Sequence, residues 1–131
     1  MPLGGFIAVG LGAAVGACLR WWLGVVLNPA FPMVPLGTVV ANLLGGLLMG
    51  FAMELLTRHS SLPAEARLAI TTGFLGGLTT FSTFSAEVVT LLLRRELLWG
   101  TVSVAVHLIG SILMTLVGLF AARALYAWGG T

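Results

Sequence analysis

Gly73-Phe74-Leu75-Gly76-Gly77-Leu78-Thr79-Thr80-Phe81-Ser82-Thr83-Phe84-Ser85 is the densest polar run of the chain, and it lies inside a largely apolar stretch at 66–93. About 20 mostly apolar residues are enough to cross a bilayer as a helix. Within this stretch, adjacent glycines each cost about 1 kcal/mol relative to alanine, and the hydroxyls that follow compete for backbone hydrogen bonds. The run therefore predicts a membrane-depth break in the third helix near Gly76–Thr80. Unwound backbone inside a bilayer must be buried in protein or face a cavity, so the break belongs to an interface or a functional site.

Three further apolar stretches, near 4–27, 36–57 and 97–122, complete a four-span reading with no room for a separate soluble domain. Composition agrees: of 131 residues, 59% are hydrophobic and 8% charged, with no lysine and no aspartate. Soluble domains carry roughly 25% charged residues. The first stretch lacks a basic start and a small-residue cleavage site, so it reads as a mature helix. Cys18 is the only cysteine, which excludes an internal disulfide and reads as a small packing residue. The scattered arginines form no basic stripe, so no nucleic-acid partner is expected.

Positive residues near helix ends favour the cytoplasm. Arg58, Arg67 and Arg123 fall on one side of a four-span chain and Arg20, Arg94 and Arg95 on the other, a count of 3 against 3. An unbiased chain can insert both ways up, and two opposed copies can close as an antiparallel two-fold dimer.

Small residues recur every fourth position. Ala8, Gly12, Gly16 and Arg20 give the first helix a groove for close approach, and Thr38, Asn42, Gly46, Gly50, Glu54 and Arg58 continue the interval in the second. Neighbours in such a series share a face, with about 40° of drift per step. Glu54 and Arg58 are spaced for an ion pair. Asn28-Pro29, Pro32 and Pro35 make a stiff turn. In Ser60-Ser61-Leu62-Pro63-Ala64-Glu65, serine is expected to cap the third helix, with proline in its first turn. Ser103, His107, Ser111 and Thr115 form a polar ladder along the fourth helix, and Trp99, Tyr126 and Trp128 suit head-group anchors.

No catalytic constellation accompanies these features: His59 and His107 lack cysteines or paired carboxylates at ligand spacing, so an enzyme is not expected. Hydroxyls, one amide and broken backbone instead suit a path that replaces an ion's water. Phe81 and Phe84, three apart, project from one side of a helix, and phenyl edges are partly positive. They can contact an anion without the full charge that would trap it. The competing readings are a small multidrug-type transporter, which needs a membrane-embedded carboxylate that the first helix lacks, and a purely structural packing subunit. Glu87 is the nearest carboxylate and reads better as part of a polar track or a helix end.

Three segments in order carry a resemblance: GACLRWW at 16–22, PLGTVVANLLGGLLMG at 35–50 and GFLGGLTTFSTFS at 73–85. Along essentially its whole length the chain resembles the Fluc (CrcB) fluoride channel family. That resemblance implies an all-α, antiparallel dual-topology homodimer in the bacterial inner membrane. It also implies two fluoride pathways, passive export of fluoride from the cytoplasm, and a structural sodium ion at the dimer centre. By the same resemblance, the carbonyls of Gly76 and Thr79 from both subunits hold the sodium. Phe81 and Phe84 correspond to the fluoride-facing phenylalanines, Asn42 to the pore amide and Ser111 to the pore hydroxyl. Thr83 and Thr115 become further lining residues, and Arg20 stands in a vestibule. Family members often carry tyrosine where this chain has His107. Protonation of that histidine beside the path would make conduction pH-sensitive.

Overall fold

A computed structural model describes residues 3–129, and these are all-helical apart from short connections. Helix α1 covers Leu3–Leu27 and α2 covers Leu36–Arg58. The third span begins as α3 (64–78), runs extended through Thr79 and Thr80, and resumes as α4 at Phe81–Leu93. Helix α5 fills Leu97–Trp128. The four spans defined in this way are each long and apolar enough to cross a membrane. The 25 residues of α1 reach about 37 Å at 1.5 Å per residue, against a hydrocarbon core of about 30 Å.

Helix α2 is the central element, burying Thr38, Ala41, Asn42, Gly45, Gly50 and Glu54 among others. Hydrophobicity cannot hold helices together in lipid, so close backbone approach must. The four-residue series supply it on two sides. A Cβ at Gly12 would overlap the Ala69 carbonyl, and one at Gly16 the Phe74 carbonyl, which seats α1 against α3. A Cβ at Gly50 would overlap the Thr115 carbonyl, and one at Gly118 the Leu47 carbonyl, which seats α2 against α5. Leu23, Ala41 and Leu78 close a small core between α1, α2 and α3. The outer faces keep large apolar side chains exposed, among them Phe6, Leu11 and Trp22 on α1 and Ile109, Leu113 and Phe120 on α5, as a lipid-facing surface should. Cys18 is exposed on this outer side rather than packed within the chain.

The Pro-rich turn is tied down by Asn28, whose Oδ1 accepts the Gly37 N–H at 2.8 Å. The expected serine cap on the third helix does not form. Pro63 stands at the cap with extended backbone (φ −54°, ψ 146°), and its carbonyl accepts the first helical N–H, from Arg67, at 3.2 Å. Ser60 and Ser61 lie too far upstream for their hydroxyls to reach those first amides. Arg67 then closes the preceding helix instead, donating to the carbonyls of Leu56 (2.7 Å) and His59 (3.2 Å) at the C-terminal end of α2.

Glu54 and Arg58 pair at 2.7 Å as their spacing predicts, and Arg123 of α5 adds a second bond to Glu54 at 3.0 Å. Arg58 lies 4.8 Å over the Tyr126 ring. One carboxylate thus joins α2 and α5 at this end of the bundle.

Two π-helical turns widen the spans, at Ala69–Leu75 in α3 and Val106–Gly110 in α5. The first precedes the break, and the second contains His107. Such turns recur at functional sites because they re-aim side chains and loosen the helical ladder.

Candidate functional site

The break forms at Thr79–Thr80, while Gly76 and Gly77 stay helical. Their flexibility is not what unwinds the chain. A Cβ at Gly77 would meet the Ala13 backbone, so that glycine serves the approach of α1. The hydroxyls do the unwinding: Thr80 adopts extended backbone (φ −148°, ψ 124°) and its Oγ1 accepts the Thr83 N–H at 3.1 Å, an N-cap for α4.

Asn42 fixes the other half of the break. Its Oδ1 accepts the Thr80 N–H at 2.7 Å, and its Nδ2 donates to the Thr80 carbonyl at 2.9 Å. Arg20 donates from Nε to the Gly77 carbonyl at 3.0 Å. These bonds decide which carbonyls remain. In an unbroken helix the Gly76 carbonyl would take the Thr80 N–H and the Thr79 carbonyl the Thr83 N–H. Asn42 and the Thr80 hydroxyl hold those two amides instead, so the Gly76 and Thr79 oxygens lose their helical donors. Two freed carbonyls three residues apart suit a hard cation. Among the described residues no cluster of three or more His, Cys, Asp or Glu offers a metal site.

A cavity of about 730 Å³ opens beside the break between α2, α4 and α5. Asn42, Thr79, Phe81, Phe84, His107, Ser111 and Thr115 all line it, with Thr80 and Ser85, and none of its lining residues is Asp, Glu, Lys or Arg. Phe81 and Phe84 meet edge to face, centroids 5.4 Å apart, and Phe84 stacks on His107 at 4.5 Å. Phe84 is buried while Phe81 is 77% exposed at the cavity's open side. On α5, the Thr115 hydroxyl donates to the Ser111 carbonyl at 2.9 Å, and Gly46 of α2 leaves room for both residues.

Arg20 and Thr83 stand elsewhere, lining a second cavity of about 320 Å³ with Trp21, Asn28, Thr38 and Thr80. Gly76 lines neither and lies on the exposed face of the single chain. Thr80, which sequence reasoning placed in the break but not among the site residues, borders both cavities. The doubled threonine after two glycines was its only signal. Glu87, one turn beyond Phe84, accepts a hydrogen bond from the Thr38 hydroxyl at 2.5 Å.

Residues 7–119 match the family described as CrcB-like protein, Camphor Resistance (CrcB). The chain is 57% identical over 123 residues to the fluoride-specific ion channel FluC of Nitrosospira multiformis, covering 94% of this chain and 96% of that one. It is 56% identical over 113 residues to the protein of the same name from Tolumonas auensis (86% and 89% covered). A third such protein, from Thiobacillus denitrificans, is 53% identical over 120 residues (92% and 97% covered).

Proposed function

The chain belongs to the CrcB family, an ion-channel family rather than one of enzymes, and we propose that it is a passive channel for fluoride leaving the bacterial cytoplasm through the inner membrane. The observation that carries this reading is the cavity beside the pinned break, where Phe81, Phe84, His107, Ser111 and Thr115 gather without a single charged side chain. A small, strongly hydrated anion needs donors and positive edges to replace its water, yet must leave again. Hydroxyls and phenyl edges meet both demands, whereas a mid-membrane arginine would hold the ion.

The working unit in this proposal is an antiparallel homodimer with two pathways. Support comes from the break: the Gly76 and Thr79 carbonyls have lost their helical donors beside Gly76, Phe81 and Ser82, which are open on one chain, and lipid cannot satisfy such groups. A second copy covers it. The even arginine count permits the opposed insertion that such a dimer needs. At the two-fold axis the freed carbonyls of Gly76 and Thr79, doubled by symmetry, would hold a structural sodium ion, supplying charge that balances the converging oxygens. Arg20 stands in a vestibule, where its charge draws anions toward the path. Asn42, Thr83 and Thr115 serve as lining or support.

A bacterial strain lacking its own fluoride exporter tests the reading in cells. Expression of this chain restores growth in fluoride, and Phe84→Ile does not; failure of the native chain to protect, at verified expression, contradicts the proposal. C-terminal reporter fusions detected on only one side of the membrane would contradict the dual topology alone.

A further inference from the structure

We infer that His107 is a neutral imidazole whose Nε2–H joins the Ser111 hydroxyl as a donor this pathway offers the anion, because Asn42 has no N–H left to give. The inference rests on the fluoride reading above and names how one residue of that site recognises the ion.

Thr80 sets the orientation of the Asn42 side chain. A backbone N–H can only donate and a backbone carbonyl can only accept, so the two bonds to Thr80 fix the Asn42 amide with Oδ1 toward the N–H and Nδ2 toward the carbonyl. No flip of the amide satisfies both. The Nδ2 group lies 3.0 Å from His107 Nδ1, and as a donor it requires a lone pair there. His107 Nδ1 is therefore unprotonated, and in the neutral ring the proton sits on Nε2. Asn42 has then used both its N–H bonds, one on Thr80 and one on His107.

The Nε2–H has no such partner. His107 is 96% buried by its 4% exposure, and its Nε2 is one of three enclosed side-chain atoms without a hydrogen bond among the described residues. A buried donor left unpaired is costly and calls for an acceptor from outside the chain. The ring lines the 730 Å³ cavity, with Phe84 stacked 4.5 Å away. Nε2 itself is enclosed in the single chain, so contact with an ion requires its neighbours, the stacked Phe84 ring among them, to give way. The Asn42 amide thus works through the imidazole: it sets the tautomer, and the imidazole meets the anion.

Two amide substitutions separate this role from a packing role. His107→Asn keeps a polar group near the Nδ1 position, within reach of Asn42, but has nothing at the ε position. His107→Gln restores a donor near the ε position and sacrifices the Nδ1 acceptor. In liposome fluoride efflux, His107→Asn is expected to lose about tenfold or more, as for one lost hydrogen bond to an ion, and His107→Gln to recover most of the rate. A residue needed only to hold Asn42 gives the reverse order, and that order overturns the inference. Should both variants fail to assemble, nitrogen-15 spectra of histidine-labelled wild-type protein in lipid, with His59→Gln removing the other ring, still decide. The expected pattern is one protonated and one unprotonated ring nitrogen, the protonated one moving when fluoride replaces chloride. An imidazolium, a proton on Nδ1, or no response to fluoride contradicts it. Wild-type protein that conducts no fluoride would sink the channel reading itself, a result distinct from any ordering of the variants.

Discussion

Asn42 and Thr80, 38 residues apart, bind each other in both directions: the threonine N–H donates to Oδ1 at 2.7 Å and Nδ2 returns a bond to the threonine carbonyl at 2.9 Å. One side chain of α2 thereby holds both backbone groups of Thr80, whose N–H the break parts from the Gly76 carbonyl. The same pairing frees the Gly76 carbonyl and, through the amide's second N–H, orients His107.

Asn42→Ala is expected to cost about 1–3 kcal/mol for each Thr80 group left unpaired, read as a fall in melting temperature in detergent. Asn42→Asp keeps an acceptor for the N–H but sets a carboxylate against the Thr80 carbonyl, and should be no better. An alanine variant as stable as wild type would show that the break holds without the clamp.

Close packing makes a second expectation. Gly50→Ala drives a Cβ into the Thr115 carbonyl, whereas Gly10 has open space around it. Overpacking of this kind typically costs about 1–3 kcal/mol. Gly50→Ala should lower thermal stability by that order, and Gly10→Ala should leave it unchanged or raise it by up to about 1 kcal/mol. A Gly50→Ala variant as stable as wild type would contradict the α2–α5 contact.

Much of this was legible in the sequence because its causes are local. Apolar run length set the four helices, the four-residue glycine series marked the packing faces, and the glycine-threonine run located the break. What escaped depended on residues distant in sequence. Arg123 joins Glu54 across 69 positions, and Arg20 reaches Gly77 across 57. The π turns left no composition signal, and the glycines nominated as the weak point stay helical because they serve contact with α1. At 60–65 the short-range signature misled, since Pro63 took the cap position that serine was expected to fill. Phe81, Phe84, Ser111, Thr115 and His107 converge on one cavity, but the division that sends Arg20 and Thr83 to another needed coordinates.

For the phenylalanines, Phe81→Ile and Phe84→Ile remove the ring edges and keep apolar bulk. Each should reduce fluoride efflux at least about tenfold, the scale of one aromatic contact to the ion. Size-exclusion chromatography should still report a dimer. Full efflux from either variant would remove the rings from the path.

Arg95 offers a test of orientation. It is the one described non-glycine residue with positive φ, 61°, in the turn after α4, where glycine is normally found. Arg95→Gly should relieve about 1 kcal/mol of backbone strain and raise thermal stability. It also leaves 3 positive residues facing 2, from the six arginines less one, and should skew insertion toward one orientation. Reporter fusions that remain evenly split would contradict the charge-balance argument.

Selective conduction of fluoride can be measured as anion efflux from liposomes containing the purified protein, followed with ion-selective electrodes. A fluoride-selective channel gives rapid fluoride loss down its gradient with chloride retained. Equal loss of both ions, or retention of both, would contradict it.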